Sequence, residues 1–145
     1  MSGGAGRART LGRLLLAAFL LLAGTAHFAV TDEFLAQVPP FLPAPRVVVW
    51  VSGVVELALG LALLLAPASQ RPRVGLVVAA LFVAVFPGNV SQLLTRADGF
   101  GLDTDAGRAV RLLFQPLLVV WALWCTGAVG TLRSWWAARR AVTRS

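Results

Sequence analysis

Six side chains able to exchange protons or make strong hydrogen bonds stand inside or at the edges of apolar runs: His27, Glu56, Asn89, Gln92, Arg111 and Gln115. Within hydrocarbon such groups are costly, so each needs either a structural partner or a task. A histidine with a glutamate can donate and accept hydrogen bonds, or pass a proton, at the head group of a small molecule. Two roles compete. Polar side chains that bond one another across helices fix register, and that role suits Asn89 and Gln115. An intramembrane ionisable pair is a site by default, and His27 with Glu56 reads that way, the glutamate at mid-depth carrying the argument. Cys125 is the single cysteine, so an intramolecular disulfide, a CxxC pair and a cysteine-rich metal site are excluded. It reads as a small buried apolar residue.

Four apolar runs must position these groups, at about 11–30, 47–66, 74–94 and 109–129, within one domain covering 1–145. The first follows Arg7, Arg9 and Arg13 and resembles the apolar core of a signal peptide, but Thr25, Ala26, His27 and Phe28 offer no convincing cleavage site. It is expected to be retained as a span. Pro67 closes the second run, and Arg71 and Arg73 lead into the third, a short turn that predicts antiparallel neighbours. The third continues through Pro87 with an expected kink. Residues 95–108 read as a solvated loop, in which Asp103, Asp105 and Gly107 faintly resemble a calcium loop but lack its spacing and closing Glu.

Between the first two runs, Asp32 and Glu33 can start a short helix before Pro39, Pro40, Pro43 and Pro45. These prolines make a stiff connector, and with Phe34, Leu35, Phe41 and Leu42 it is expected to lie in the interface and cover the mouth of the bundle. The tail from Thr131 interleaves Trp135 and Trp136 with Arg133, Arg139, Arg140 and Arg144, as an interfacial anchor does. The fold class expected is therefore an all-α membrane protein, a four-helix transmembrane bundle with an interfacial Pro-rich segment.

Helical rise places the polar groups at similar depths. His27 lies about 24 Å and Asn89 about 22 Å from the inner ends of their spans, while Glu56 and Gln115 lie about 14 Å and 9 Å from the outer ends. One shared cluster in the outer half is expected. Gly53 and Gly60 share the face of Glu56 and permit close approach by another span, so Glu56 should point into the bundle. Arg111, one turn outward of Gln115, is placed to reach the cluster from above.

Composition agrees with a lipid environment: 58% of residues are hydrophobic and 13% charged, with a mean hydropathy of +0.79. The net charge of +7 comes from thirteen Arg against six acids, with no Lys. The Arg residues cluster at the ends of apolar runs, which argues for membrane flanks and against nucleic acid as partner. Nine of them fall before the first run, between the second and third, or in the tail, and four in the other two loops. That asymmetry puts both termini in the cytoplasm, in a bacterial-type cell membrane.

His27-Phe28, Val38-Pro39, Leu42-Pro43, Ser52-Gly53-Val54-Val55-Glu56 with Gly60, Phe86-Pro87-Gly88-Asn89, and Gln115 before Trp121 and Trp124 follow in an order that resembles the DoxX-like family of small bacterial membrane proteins. The resemblance runs from about Leu21 to Trp124 and implies four spans. It also implies association with quinone-linked or oxidative-stress redox systems. One His cannot supply a bis-His haem site and there is no CxxCH, so no haem or metal motif accompanies it. The function expected is an accessory or subunit protein with a polar pocket for a quinone-like amphipathic molecule, or for docking a membrane-bound oxidoreductase, without catalysis of its own. A small proton-coupled transporter using Glu56 and a structural assembly or chaperone protein are the alternatives.

Overall fold

The computed structural model describes residues 2–143. Arg144, counted above with the basic tail, lies outside the described residues. Six helices follow one another: α1 Ser2–Ala29, α2 Thr31–Leu35, α3 Pro45–Leu65, α4 Arg71–Thr95, α5 Asp105–Thr126 and α6 Ala128–Val142. No strand occurs among the described residues. Helices α1, α3, α4 and α5 are long and apolar enough to cross a membrane. The 21 residues of α3 reach about 32 Å, the thickness of a hydrocarbon core. Leu22, Leu65, Leu94 and Leu113 are all exposed, the pattern of helices whose outer faces meet lipid rather than water. The protein is a four-helix, multi-pass membrane bundle.

Local chemistry explains most helix ends. Pro45 opens α3 in the first turn, where its missing N–H costs nothing, and Ala66 turns extended before Pro67. The Thr104 hydroxyl caps α5 by accepting from the Gly107 N–H at 3.1 Å. Gly127, at φ 78°, ends α5 in the left-handed region. The fourth span thus stops at Thr126, three residues short of the expected Val129, and the tail begins its own helix at Ala128. The other corrections are modest: α1 starts at Ser2 rather than near Leu11, and α5 takes in Asp105–Arg108 from the expected loop.

Helix pairing departs from the expectation drawn from the short turn after α3. The intimate pairs are α1 with α3 and α4 with α5; α1 also lies beside α5, whereas α3 and α4 meet over little of their length. Small residues decide this. A Cβ at Gly53 would lie 2.7 Å from His27 Cβ, one at Gly24 would lie 2.9 Å from the Gly53 carbonyl oxygen, and one at Gly60 would lie 2.9 Å from Leu21 Cγ. Gly75 of α4 is equally tight against Thr126 of α5. No comparable seam joins α3 to α4.

The solid core fills one half of the bundle: Leu16, Ala17 and Leu20 of α1, Leu63 of α3, Val78, Ala79 and Phe82 of α4, Ala122 and Cys125 of α5. The first span is therefore integral to the core. This end is tied by polar bonds as well. Arg13, expected only as a flanking charge, is buried and donates to the Leu63 carbonyl. Trp121 Nε1 donates to the Gly12 carbonyl at 3.0 Å.

At the opposite end two segments join into one cap. Glu33 of α2 accepts the Phe100 N–H at 2.6 Å, Phe34 meets Phe100 edge-on with centroids 4.7 Å apart, and Trp50 Nε1 donates to the Thr31 hydroxyl at 3.2 Å. Buried Arg108 holds the 96–104 loop through Asp98 at 2.6 Å and is itself steadied by Asp105, one turn earlier in α5, at 3.0 Å. The Pro-rich connector after α2 lies over the bundle mouth, with the Gln37 carbonyl seated against Gly88, where a Cβ would come within 2.6 Å.

Candidate functional site

The half of the bundle under this cap is hollow. A cavity of about 650 Å³ lies between α1, α3, α4 and α5, roofed by Phe34, Gln37, Val38 and Pro39 of the connector. Its walls are mainly apolar, with Phe19, Phe82, Val85, Phe114 and Leu118 among them. Five of the six residues singled out from the sequence line it: His27, Glu56, Asn89, Arg111 and Gln115. Gln92 does not; it is buried behind Arg111.

His27 is held on two sides. Its Nδ1 lies 2.8 Å from the Ala23 carbonyl one turn earlier, and the ring stacks on Phe34 with centroids 3.7 Å apart. A carbonyl can only accept, so Nδ1 carries the proton and the neutral ring keeps its lone pair on Nε2. Glu56 Oε2 approaches the same Nδ1 at 3.4 Å, but the Nδ1 proton is already spent on Ala23, and Oε2 is buried with no hydrogen-bond partner. The pair is an adjacency, not a formed bond. Gly53 makes that adjacency possible by bringing α3 onto the backbone of α1 beside His27.

Arg111 reaches the cluster from the cap side, but through Gln92 rather than Glu56. Its Nη2 donates to Gln37 Oε1 at 2.9 Å, its Nη1 reaches Gln92 Oε1 at 3.4 Å, and its guanidinium lies 5.4 Å from the Phe100 ring centre. The fork is taken up by two amide oxygens near the cap, so it fastens the connector to α4 and α5. Gln92 in turn donates to the Ala97 carbonyl at 3.3 Å, tying in the second loop. The sextet is therefore two groups: a fastener of Arg111 and Gln92 under the cap, and a wall of His27, Glu56, Asn89 and Gln115 below it.

Two further side chains belong to the polar lining. Asn89 is buried on α4 and its Oδ1 has no partner; Gln37 has its Oε1 engaged by Arg111 but its Nε2 buried and unpartnered. Sequence reasoning missed Gln37, and its signal was a lone amide among apolar and proline residues of the 32–46 connector. Phe34 and Phe100 were likewise read only as cover, or not at all.

Among the described residues no group of three or more His, Cys, Asp and Glu is placed to hold a metal ion. Asp105 pairs with Arg108 at 3.0 Å and Arg96 at 3.4 Å, and Gly107 serves the Thr104 cap, so this segment works as a helix start. What the cavity offers chemically is an apolar chamber with a few unsatisfied hydrogen-bonding atoms, the form of a site for a small amphipathic molecule.

Comparison with curated proteins and with solved structures finds no match. Residues 16–126 match the domain of unknown function DUF8561, a stretch that runs from Leu16 in α1 to the last residue of α5 and contains the cavity and its cap. The chain belongs to the DUF8561 family.

Proposed function

We propose that this protein is an accessory or subunit component of a quinone-linked or oxidative-stress redox system, holding a small quinone-like amphipathic molecule in the capped cavity. One observation carries the reading. Glu56, Asn89 and Gln37 line a mainly apolar cavity of about 650 Å³, and each has a buried side-chain atom, Oε2, Oδ1 and Nε2, with no partner. Leaving a buried polar atom unmet costs about 1–3 kcal/mol. Three at one place are an expensive way to build packing glue, and a ligand that meets them recovers that cost. The resemblance to the DoxX-like proteins supports the redox setting and a membrane-bound oxidoreductase as partner.

The setting is a bacterial-type cell membrane with both termini in the cytoplasm. Arg7, Arg9, Arg71, Arg73, Arg133, Arg139 and Arg140 belong to segments at the solid end of the bundle, while five of the six acids belong to the capped end. The positive-inside rule then turns the cavity toward the outer leaflet. The test is extraction of the full chain in mild detergent, followed by absorbance and mass spectrometry of what travels with it. A quinone-class molecule near one per chain is the expected result. No co-extracted ligand, together with unchanged thermal stability on adding quinone, would overturn the proposal.

A further inference from the structure

Every acidic side chain lies toward the capped end or on the cavity wall: Asp32 and Glu33 before α3, Glu56 within it, Asp98, Asp103 and Asp105 ahead of or opening α5. The solid end has none. Arg7 and Arg9 of α1, Arg73 of α4, and Arg133 and Arg140 of α6 are exposed there. Among the described residues, none of the five is in ion-pair reach of a carboxylate. Charge of one sign gathered in this way repels itself and attracts an anionic partner from outside the chain.

Helix α6 gives that charge a shape. It lies beside α4 and α5, yet Ala128 is its one buried residue, Leu132 is half-buried and the rest are exposed, Trp135 and Trp136 included. A helix of 15 residues is marginal alone in water, so its apolar side chains call for a further surface. Helical spacing puts every bulky side chain from Val129 to Arg140 on one half of α6 and leaves Gly130, Thr131, Ser134, Ala137 and Ala138 on the other. Cations and indoles therefore share a face instead of opposing each other.

On that face Leu132, Arg133, Trp136, Ala137 and Arg140 line an open groove. Its two guanidiniums stand seven residues apart, about 10 Å along the axis, with apolar atoms between them. Whatever meets this face is anionic and apolar within the width of one helix. The phosphate level of an anionic leaflet has that make-up, with acyl chains directly beneath the head groups. Nucleic acid suits it less well, because Trp135 is already covered by Arg139, 4.1 Å over its ring, and meets Trp136 edge-on, so this indole offers no open platform for a base.

We infer that this face of α6 binds anionic phospholipid of the leaflet at the solid end, with Arg133 and Arg140 on head-group phosphates and Leu132 and Trp136 against the acyl side. The surface is separate from the cavity and independent of its ligand. The test uses the full chain in mild detergent with equal amounts of dioleoyl phosphatidylglycerol and dioleoyl phosphatidylcholine, the bound lipid being counted by native mass spectrometry. The two share their chains and a phosphate, and only the first has a net negative charge.

Phosphatidylglycerol is expected to be retained at least about fivefold over phosphatidylcholine. In an Arg133→Gln, Arg140→Gln double variant the ratio should fall below about twofold. An Arg7→Gln, Arg9→Gln variant loses the same charge from the same end and should keep the preference. Equal retention of the two lipids by the unaltered protein overturns the inference, whether or not either variant folds. Equal losses in both double variants also overturn it, since net charge rather than the α6 face would then hold the lipid. Displacement of phosphatidylglycerol by single-stranded RNA at equal phosphate concentration overturns it in favour of nucleic acid. Displacement by glycerol phosphate at that concentration does so too, because the apolar half of the face would then have no part.

Discussion

Gly53→Ala adds one methyl group where α1 and α3 lie closest. Its carbon would sit 2.7 Å from His27 Cβ, 2.8 Å from Phe28 Cε2 and 3.0 Å from the Gly24 carbonyl oxygen. Carbon atoms in contact rest about 3.5–4.0 Å apart, so α1 must withdraw by roughly 1 Å, and the Gly24 contact is backbone that cannot rotate aside. Overpacking of this kind costs about 1–3 kcal/mol. Alanine returns up to about 1 kcal/mol through helix propensity, leaving a net loss of about 1–2 kcal/mol.

Gly130→Ala is the control. It lies in α6 with nothing within 4 Å of the added carbon, so only the propensity gain remains. Cys125, the single cysteine, is buried in the core and reports unfolding when a thiol-reactive dye gains access on heating. At about 4 °C per kcal/mol, Gly53→Ala should melt about 4–8 °C lower, and Gly130→Ala level with or above the parent. A Gly53→Ala protein that melts with the parent would refute the close-approach argument, and with it the account of how His27 is brought beside Glu56.

Three further outcomes follow from the geometry. Gly88→Ala places a carbon 2.6 Å from the Gln37 carbonyl oxygen, so the connector should lift and its 36–44 segment should be cut faster by added protease; an unchanged cutting rate argues against the seat. Arg108→Met removes the link from α5 to Asp98 of the 96–104 loop, together with the Asp105 contact within α5, and should cost about 1–3 kcal/mol in the same thiol melt. Arg108→Lys should recover little of it, since one ammonium cannot reproduce the fork, and full recovery would show that charge alone suffices. In α6, Arg139 lies 4.1 Å over the exposed Trp135 ring, beside exposed Trp136. Changing both tryptophans to Phe should remove the largest share of fluorescence quenching by lipids brominated near the head group, and undiminished quenching would place α6 away from the interface.

Much of this architecture can be read along the chain. Apolar runs of spanning length define four membrane helices, because backbone polar groups in hydrocarbon must be satisfied within the segment. Pro67 and the acidic Asp32-Glu33 start mark real boundaries. A rise of 1.5 Å per residue puts His27, Glu56, Asn89 and Gln115 at one level, and they do line one cavity.

Helix partners were another matter. In a membrane protein the outward faces are as apolar as the inward ones, so hydrophobic periodicity does not say which neighbour a helix meets. That choice falls to matches between small residues on different spans, Gly24 with Gly53 and Gly75 with Thr126, which exist only in three dimensions. Hydrogen-bond partners obey the same limit. Arg111 has an amide oxygen of the connector 74 positions away in reach and spends its fork there rather than on Glu56. Residue types and helical rise decided that polar groups would gather in one half of the bundle. Packing decided which of them satisfy one another and which, at Glu56, Asn89 and Gln37, are left buried without a partner.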